Sequence, residues 1–492
     1  MPRAVAIIAS LTALPTPERL QTLAGLCEIL EVRADLIGDV EAGRLREHFP
    51  GRLLYTLRGT AEGGSFDGGP EARAARILEG AEGYDLVDFE RQDVAGGVVE
   101  SIAPGRRLLS WHGRPESVEE LATVAGELLA TDACWYKLVT ATDRSGPDRW
   151  PLALLHDLGR GDVIAFAGGE IGSWTRLLSL LLGAPAVFAA AGPRPAAAGQ
   201  LAVETLHRDY QWPLADDVRW LLGVVGMPVA ESLSPYLFNR ALRRLGIPAL
   251  YVPFQVQNFG EFWLEVVEEG GFPDAGCVLR GLSVTAPNKR LAMAIAGATS
   301  PLAEQIRSAN TLVCHDGVWE ADTTDPEGVL GPLRRRNIGL RGRPTAVLGA
   351  GGAGRAAAFA LAHAGAEVRV FNRSAERGAR VAKELDLPFS PWAELDPAGY
   401  SLVVHATPLG RSAEDPLPCA VDTLPADAVG LDLAYLRDRP TPWVEALRSA
   451  GRVAIDGREA LLHQAIPQFA AMTGREMPSD LVAEQLAEWG GE

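Results

Sequence analysis

Eight short apolar runs separated by helix-length segments fill the first 190 or so residues: Val5 to Ser10, Glu28 to Arg33, Arg52 to Arg58, Asp85 to Glu90, Arg107 to His112, Cys134 to Thr140, Asp162 to Ala167 and Pro185 to Ala189. Strands alternating with helices pair in parallel, because each crossover returns the chain to the same end of the sheet. Eight such units in about 200 residues match the lower size range of a (β/α)8 barrel. Barrel sites form at the C-terminal ends of strands. Glu31 and Arg33 close the second run, Arg58 the third, Glu90 the fourth and His112 the fifth, while Lys137 lies within the sixth.

Lys137 is one of only three lysines, with Lys289 and Lys383, although Lys and Arg together number 46. Arginine replaces lysine wherever a permanent cation suffices, but it does not deprotonate in proteins and supplies no amine nucleophile. In an apolar strand the Lys137 ammonium is desolvated, which lowers its pKa and frees the amine. Attack on a ketone then gives an iminium that acidifies the neighbouring C–H for abstraction by a base, and His112, one strand away, is the candidate. Glu90 either orients His112 or forms an ion pair with Arg33 or Arg58. Arg176, at the head of a helix, suits a substrate carboxylate through its two-pronged guanidinium.

The formal net charge of −17 argues against a nucleic-acid or anionic-membrane surface, so small anionic substrates in enclosed pockets are the expected partners. Five scattered cysteines without a CxxC pair predict neither a disulfide framework nor a metal site and fit a reducing cytoplasm. The N-terminal apolar run is too short to span a bilayer, reads as a first strand, and no targeting signal is expected.

These barrel residues resemble the type I 3-dehydroquinate dehydratases over roughly residues 1 to 210. The likeness rests on Glu31-Val32-Arg33-Ala34-Asp35, Thr56-Leu57-Arg58 followed by Glu62-Gly63-Gly64, Ser110-Trp111-His112, Tyr136-Lys137-Leu138-Val139-Thr140 and Gly199-Gln200. The resemblance implies a Schiff base at Lys137, general acid/base work by His112, a carboxylate clamp at Arg176, and ring positioning by Glu31, Arg33, Arg58, Glu90 and Gln200. Ala196 and Ala198 stand where that family usually has serine and proline.

After a join between Ala202 and Leu221, a second pattern begins. The apolar strand Thr345 to Leu348 leads into Gly349-Ala350-Gly351-Gly352-Ala353-Gly354 and an alanine-rich helix, then the strand Glu367 to Phe371. Such glycines allow a tight turn and close approach of a pyrophosphate to backbone N–H groups at the helix N-terminus. Where an NAD-binding unit usually carries an acidic residue, this chain has Asn372-Arg373-Ser374, which favours NADP. Upstream, Ser232, Ser234, Lys289, Asn310 and Asp325 supply donors, a cation and a carboxylate suited to a small polyhydroxylated acid, and Lys289 with Asp325 suits protonation of a carbonyl oxygen.

From about residue 220 the chain resembles shikimate dehydrogenase, also through Ala406-Thr407-Pro408-Leu409-Gly410, Asp432-Leu433-Ala434-Tyr435, Gly457 and Leu461 to Ala465. That resemblance implies shikimate contacts at Ser232, Ser234, Thr285, Lys289, Asn310, Asp325, Tyr435 and Gln464, with Lys289 and Asp325 catalytic, and cofactor contacts reaching Thr407 and Gly457. Glu231, Ser283, Thr323 and Ala460 depart from its usual residues. The expected architecture is α/β: a TIM barrel over 1–210, a shikimate-binding domain over 219–330 completed by 465–492, and a Rossmann NADP-binding domain over 331–464. The expected function is two consecutive reactions, 3-dehydroquinate to 3-dehydroshikimate and then to shikimate. Rival readings are quinate oxidation by the second half and a quinate-sensing regulator without catalysis. Oligomeric state is left open.

Overall fold

The computed structural model describes residues 5–214, 217–268, 272, 276–412 and 414–490. Within the join, Ala215 and Asp216 lie outside the described residues. By contacts the chain divides into two compact units, Met1–Leu221 with Pro248–Leu279, and Leu222–Ile247 with Arg280–Glu492.

The first unit holds eight parallel strands: β1 (Ala6–Leu11), β2 (Ile29–Arg33), β3 (Arg52–Thr56), β4 (Leu86–Glu90), β5 (Arg107–Gly113), β6 (Trp135–Ala141), β7 (Val163–Gly168) and β8 (Ala186–Ala190). Their order, β7-β6-β5-β4-β3-β2-β1-β8, makes a nearly closed barrel in which no ladder joins β7 to β8 among the described residues. The side-chain period of two explains how its interior divides. Ile8, Ile29, Leu54, Leu86, Leu108 and Ile164 form an apolar floor, each adding roughly 1.5–3 kcal/mol by burial. Two residues further along five of these strands, on the same face, stand Ser10, Glu31, Thr56, Asp88 and Ser110, and Lys137 pairs in register with Ser110. The polar layer is thus stacked on the floor by strand geometry alone. Arg58, expected at a strand end, lies two residues past β3, because the Arg73 guanidinium takes the Leu57 carbonyl and turns the chain out of the sheet.

A mixed six-stranded sheet follows: β9 (Trp220–Gly226), β10 (Ala249–Gln255), β11 (Val278–Val284), β12 (Ala298–Thr299), β13 (Thr311–His315) and β14 (Val318–Asp322), in the order β10-β9-β11-β13-β14-β12. A third sheet contains β15 (Pro344–Leu348), β16 (Glu367–Asn372), β17 (Phe389–Pro391), β18 (Leu402–His405), β19 (Val429–Asp432) and β20 (Val453–Ile455). All its ladders are parallel, and the order β17-β16-β15-β18-β19-β20 is the doubly wound 3-2-1-4-5-6 arrangement. The order in which strands are added reverses between β15 and β18, so a crevice opens beyond their C-terminal ends. Val347, Leu348, Val403 and Val404 are fully buried, as expected for strands covered on both faces. Among the described residues no helix is long and apolar enough to cross a membrane.

Candidate active sites

In the barrel, Lys137 and His112 face one cavity of about 90 Å³ with Glu31, Arg33, Arg58, Glu62, Arg176 and Gln200. Lys137 Nζ lies over the Phe188 ring, 3.9 Å from its centre, and 4.0 Å from Asp88, its nearest carboxylate. Burial pulls the ammonium down to about 8, with Asp88 and Glu31 offsetting part of that effect and Arg58 and Arg33 adding to it. Desolvation, followed by Arg58, Lys137, Arg33 and Arg176, holds His112 well below the ordinary imidazole value. The ring is therefore neutral at pH 7 and starts as a base.

Glu62 sets which nitrogen does the work. Its Oε2 accepts the His112 backbone N–H at 2.9 Å and lies 3.0 Å from Nδ1. Because Oε2 also takes Arg58 Nη1 at 3.2 Å, it is the accepting oxygen of the carboxyl whether or not the other oxygen carries a proton, which places the ring proton on Nδ1 and leaves Nε2 as the basic atom. Desolvation raises the Glu62 carboxyl to about 8 against the pull of Arg58.

Arg176 is the second residue of the helix Thr175–Leu181, 3% exposed, with its guanidinium 4.1 Å from the centre of the Phe166 ring. Among the described residues it has no carboxylate partner, its Nε has no hydrogen bond, and burial alone pulls it down to about 10. A buried cation without a counter-ion is costly unless an anion arrives. Arg33 differs: its fork is filled by Asp35, at 2.9 and 2.8 Å. Gln200 donates to Ser10 Oγ at 3.0 Å and accepts the Ala196 N–H at 2.8 Å. That backbone contact leaves Ala196 at the cavity edge with no hydroxyl to offer.

The second unit holds a cavity of about 1410 Å³. At one end Lys289 Nζ donates to Asp325 Oδ1 and Oδ2 at 2.8 and 2.6 Å, and Asn310 Nδ2 donates to Oδ1 at 2.9 Å. Asn310 is itself held by Thr324 N–H at 2.8 Å and by Gln468, whose Nε2 reaches the Asn310 carbonyl at 2.8 Å. Ser283 donates to Gln468 Oε1 at 3.0 Å. Ser232, Ser234, Thr285, Tyr435 and Gln464 line the same cavity.

At the other end, Gly349 has φ +118°, and a Cβ there would lie 2.6 Å from the Ala406 carbonyl. Gly349, Ala350, Gly351, Gly352 and Ala353 line the cavity where the helix Gly352–His363 begins. A Cβ on Gly352 would press on the Lys289 side chain at 2.9 Å, so this turn brings the glycine loop against the proton-handling pair. Arg373 is exposed beside Arg377 and Arg380, all three lining the cavity beyond β16. Glycine cradle, helix N-terminus and arginine cluster fit a dinucleotide bearing a 2′-phosphate.

Residues 7–216 match the Type I 3-dehydroquinase family, and residues 224–312 match the shikimate dehydrogenase substrate binding domain. The shikimate dehydrogenase (NADP(+)) of Syntrophobacter fumaroxidans is 35% identical over 262 residues, 52% of this chain and 88% of its own. The chloroplastic bifunctional 3-dehydroquinate dehydratase/shikimate dehydrogenase of Arabidopsis thaliana is 26% identical, covering 94% of this chain and 80% of its own. The chain belongs to the bifunctional dehydratase/dehydrogenases. A shikimate dehydrogenase solved in complex with NADP+ overlays 56% of this chain and 96% of its own at TM-score 0.50 and 26% identity.

Within the dehydratase half, Glu90 requires correction. It does not touch His112: it accepts the Gly59 N–H at 2.8 Å and Gln92 at 2.7 Å, pairs with Arg58 and Arg73 at 3.2 and 3.3 Å, and is fully buried off the cavity. The helix Arg91–Ala95 starts immediately after Glu90, which caps it and turns its side chain into that network. Glu62 takes the assigned place. In the dehydrogenase half, Gly354 does not line the cavity. A Cβ there would sit 2.1 Å from the Gly349 carbonyl, so its glycine serves strand-to-helix packing. Asn372 and Ser374 line the cavity, but Asn372 holds the Ala350 N–H at 3.1 Å and Ser374 caps the next helix, leaving Arg373 as the member of that trio free to reach a ligand. Asp88, Ser10 and Gln468 were missed. Gln468 lies one helical turn from Gln464, and that spacing was its available signal.

Proposed function

We propose that the dehydratase half forms an iminium between Lys137 and the ketone of 3-dehydroquinate, and that the dehydrogenase half reduces the released 3-dehydroshikimate with Lys289 and Asp325 handling the proton. Dehydration of 3-dehydroquinate and NADP-dependent interconversion of 3-dehydroshikimate and shikimate are the two activities of this family. The observation that carries the residue roles is a buried, uncompensated Arg176 facing the same small cavity as a lysine lowered to about 8. Such a cavity supports a substrate with a carboxylate at one end and a ketone at the other.

The neutral amine attacks the ketone carbon, and loss of water leaves the iminium. His112 Nε2 then takes the C2 proton, and the C–H electron pair moves into the iminium to give an enamine. The same proton goes to the departing hydroxyl, which leaves as water, and hydrolysis frees Lys137. Glu62 keeps the imidazole oriented through both transfers. In the dehydrogenase half, bound NADPH supplies the hydride. Lys289, tied to Asp325, presents a proton for the carbonyl oxygen, while Ser232, Ser234, Thr285, Asn310, Tyr435 and Gln464 bind the ring hydroxyls and carboxylate. Arg373 holds the 2′-phosphate, and the turn Gly349 to Ala353 with Gly457 cradles the rest.

On this reading the working domains are 1–210, 219–330 with 465–492, and 331–464. The protein acts in the cytoplasm, where its five free cysteines stay reduced, and it binds neither nucleic acid nor membrane. Purified protein given 3-dehydroquinate and NADPH should consume NADPH. If it consumes none, even with added 3-dehydroshikimate, the reading fails. NADP+ reduction by quinate in preference to shikimate would replace the second half of it.

A further inference from the structure

A buried polar chain ends at Thr407, which lines the cofactor cavity. His405, the last residue of β18, has Nδ1 2.9 Å from Asp432 Oδ1 and Nε2 2.6 Å from Thr407 Oγ1. Asp432 also accepts the Ala434 N–H at 2.9 Å and the Thr441 hydroxyl at 2.6 Å. His405, Asp432 and Thr441 are all 0% exposed, and Trp443 packs edge-on against the imidazole. Nothing in the proposed chemistry uses this chain.

Its polarity follows from donor and acceptor counting. A carboxylate only accepts, so the ring proton facing Asp432 is on Nδ1, and in the tautomer that this proton defines Nε2 is an acceptor. Thr407 must then donate its single proton to Nε2. What remains on the hydroxyl is acceptor capacity, one lone pair facing the Leu409 N–H at 3.3 Å and the other available to the cavity that Thr407 lines. Thr407 stands at the switch point of the sheet, where a Cβ on Gly349 would meet its Cγ2 at 2.9 Å. The methyl of Thr407 thus packs beside the glycine turn, and its residue lines the same cavity as Gly349 to Ala353.

We propose that His405, braced by Asp432, is a positioning residue for the cofactor: it fixes Thr407 as a hydrogen-bond acceptor toward the cavity, selecting a donor group of the dinucleotide, a ribose hydroxyl or a carboxamide N–H. The inference rests on reading the cavity as the NADP site. A purely structural role, in which the chain only ties β18 to β19, is already served by the parallel ladder that pairs His405 with Asp432.

His405→Asn separates the two roles, because the shorter amide still donates to Asp432 but withdraws the acceptor from Thr407. NADPH affinity is read by fluorescence titration without substrate, alongside the unfolding midpoint and KM for NADPH. Losing one neutral hydrogen bond should weaken NADPH by about 3- to 10-fold in His405→Asn and equally in Thr407→Val. The double variant should be no weaker than either single one, and Thr407→Ser should bind as the parent does. Additive losses, or a lowered midpoint with unchanged NADPH affinity, would overturn the inference. Parent protein that binds no NADPH would instead overturn the reading of the cavity.

Discussion

Replacing Arg176 by methionine should move stability and activity in opposite directions. Arg176 is 3% exposed, has no carboxylate partner among the described residues, and burial has pulled its guanidinium well below the ordinary value, to about 10. At ~1.4 kcal/mol per pKa unit, keeping that charge buried without a counter-ion costs about 3 kcal/mol. Against this stands its contact with Phe166, 4.1 Å from the ring centre, a desolvated cation–π pair of about 2 kcal/mol. Methionine fills the same channel without charge. The balance is a gain of about 1 kcal/mol, or roughly 2–4 °C in the barrel's unfolding midpoint. Dehydration of 3-dehydroquinate should suffer, because removing one partner of a buried ion pair costs about 3–5 kcal/mol, a roughly 10²- to 10³-fold fall in kcat/KM. Thermal scans without substrate and ultraviolet assay of the conjugated product measure the two effects. A variant that unfolds earlier and keeps its kcat/KM would show that Arg176 is a packing residue, and the carboxylate assignment would fall.

Other outcomes follow from the same geometry. The Lys137 ammonium and the Glu62 carboxyl both give up a proton near 8, so dehydratase kcat/KM should rise with pH by at least about tenfold per unit below 8 and level off above it; a profile flat from pH 6 to 9 contradicts this. Lys137→Arg should abolish the adduct trapped by borohydride while leaving reduction of added 3-dehydroshikimate intact. Glu62→Gln should lower dehydratase kcat about 10²-fold with little change in KM, whereas Glu90→Gln should act mainly on the unfolding midpoint. Lys289→Met should cut shikimate oxidation by about 10²- to 10⁴-fold without touching dehydration. Arg373→Ala should raise KM for NADPH about 10- to 100-fold and leave NADH turnover unchanged, as checked by parallel titrations with the two nucleotides.

The barrel was legible because its signals are local: short apolar runs, each separated from the next by a helix-length segment. Every predicted run is a strand, since alternating inward positions must be apolar at the floor whatever the neighbouring strands do. The glycine turn was equally plain, because only glycine tolerates φ +118° with a carbonyl 2.6 Å from where a Cβ would be. Glu90 was misread because chain position cannot say which of two carboxylates will reach a histidine on another strand. That depends on whether the following helix captures the side chain at its cap, as it does for Glu90, or a 3-10 turn such as Thr60–Glu62 delivers it to the rim, as it does for Glu62. His405 was invisible for a related reason: its meaning lies in Asp432, twenty-seven residues away, which only the β18–β19 register brings alongside.

Lysine scarcity acquires a physical content from the two environments. Lys137 is buried with no carboxylate closer than 4.0 Å, so desolvation favours the uncharged amine, and an arginine there would stay charged and could form no imine. Lys289 is the converse: both Asp325 oxygens lie within 2.8 Å, so its ammonium is held and aimed. Arginine would bind Asp325 as well or better, but it would not release a proton to a carbonyl oxygen. One residue type therefore serves as nucleophile where its surroundings withhold compensation and as proton donor where they supply it. The carboxylate distance, not the sequence motif, separates the two roles.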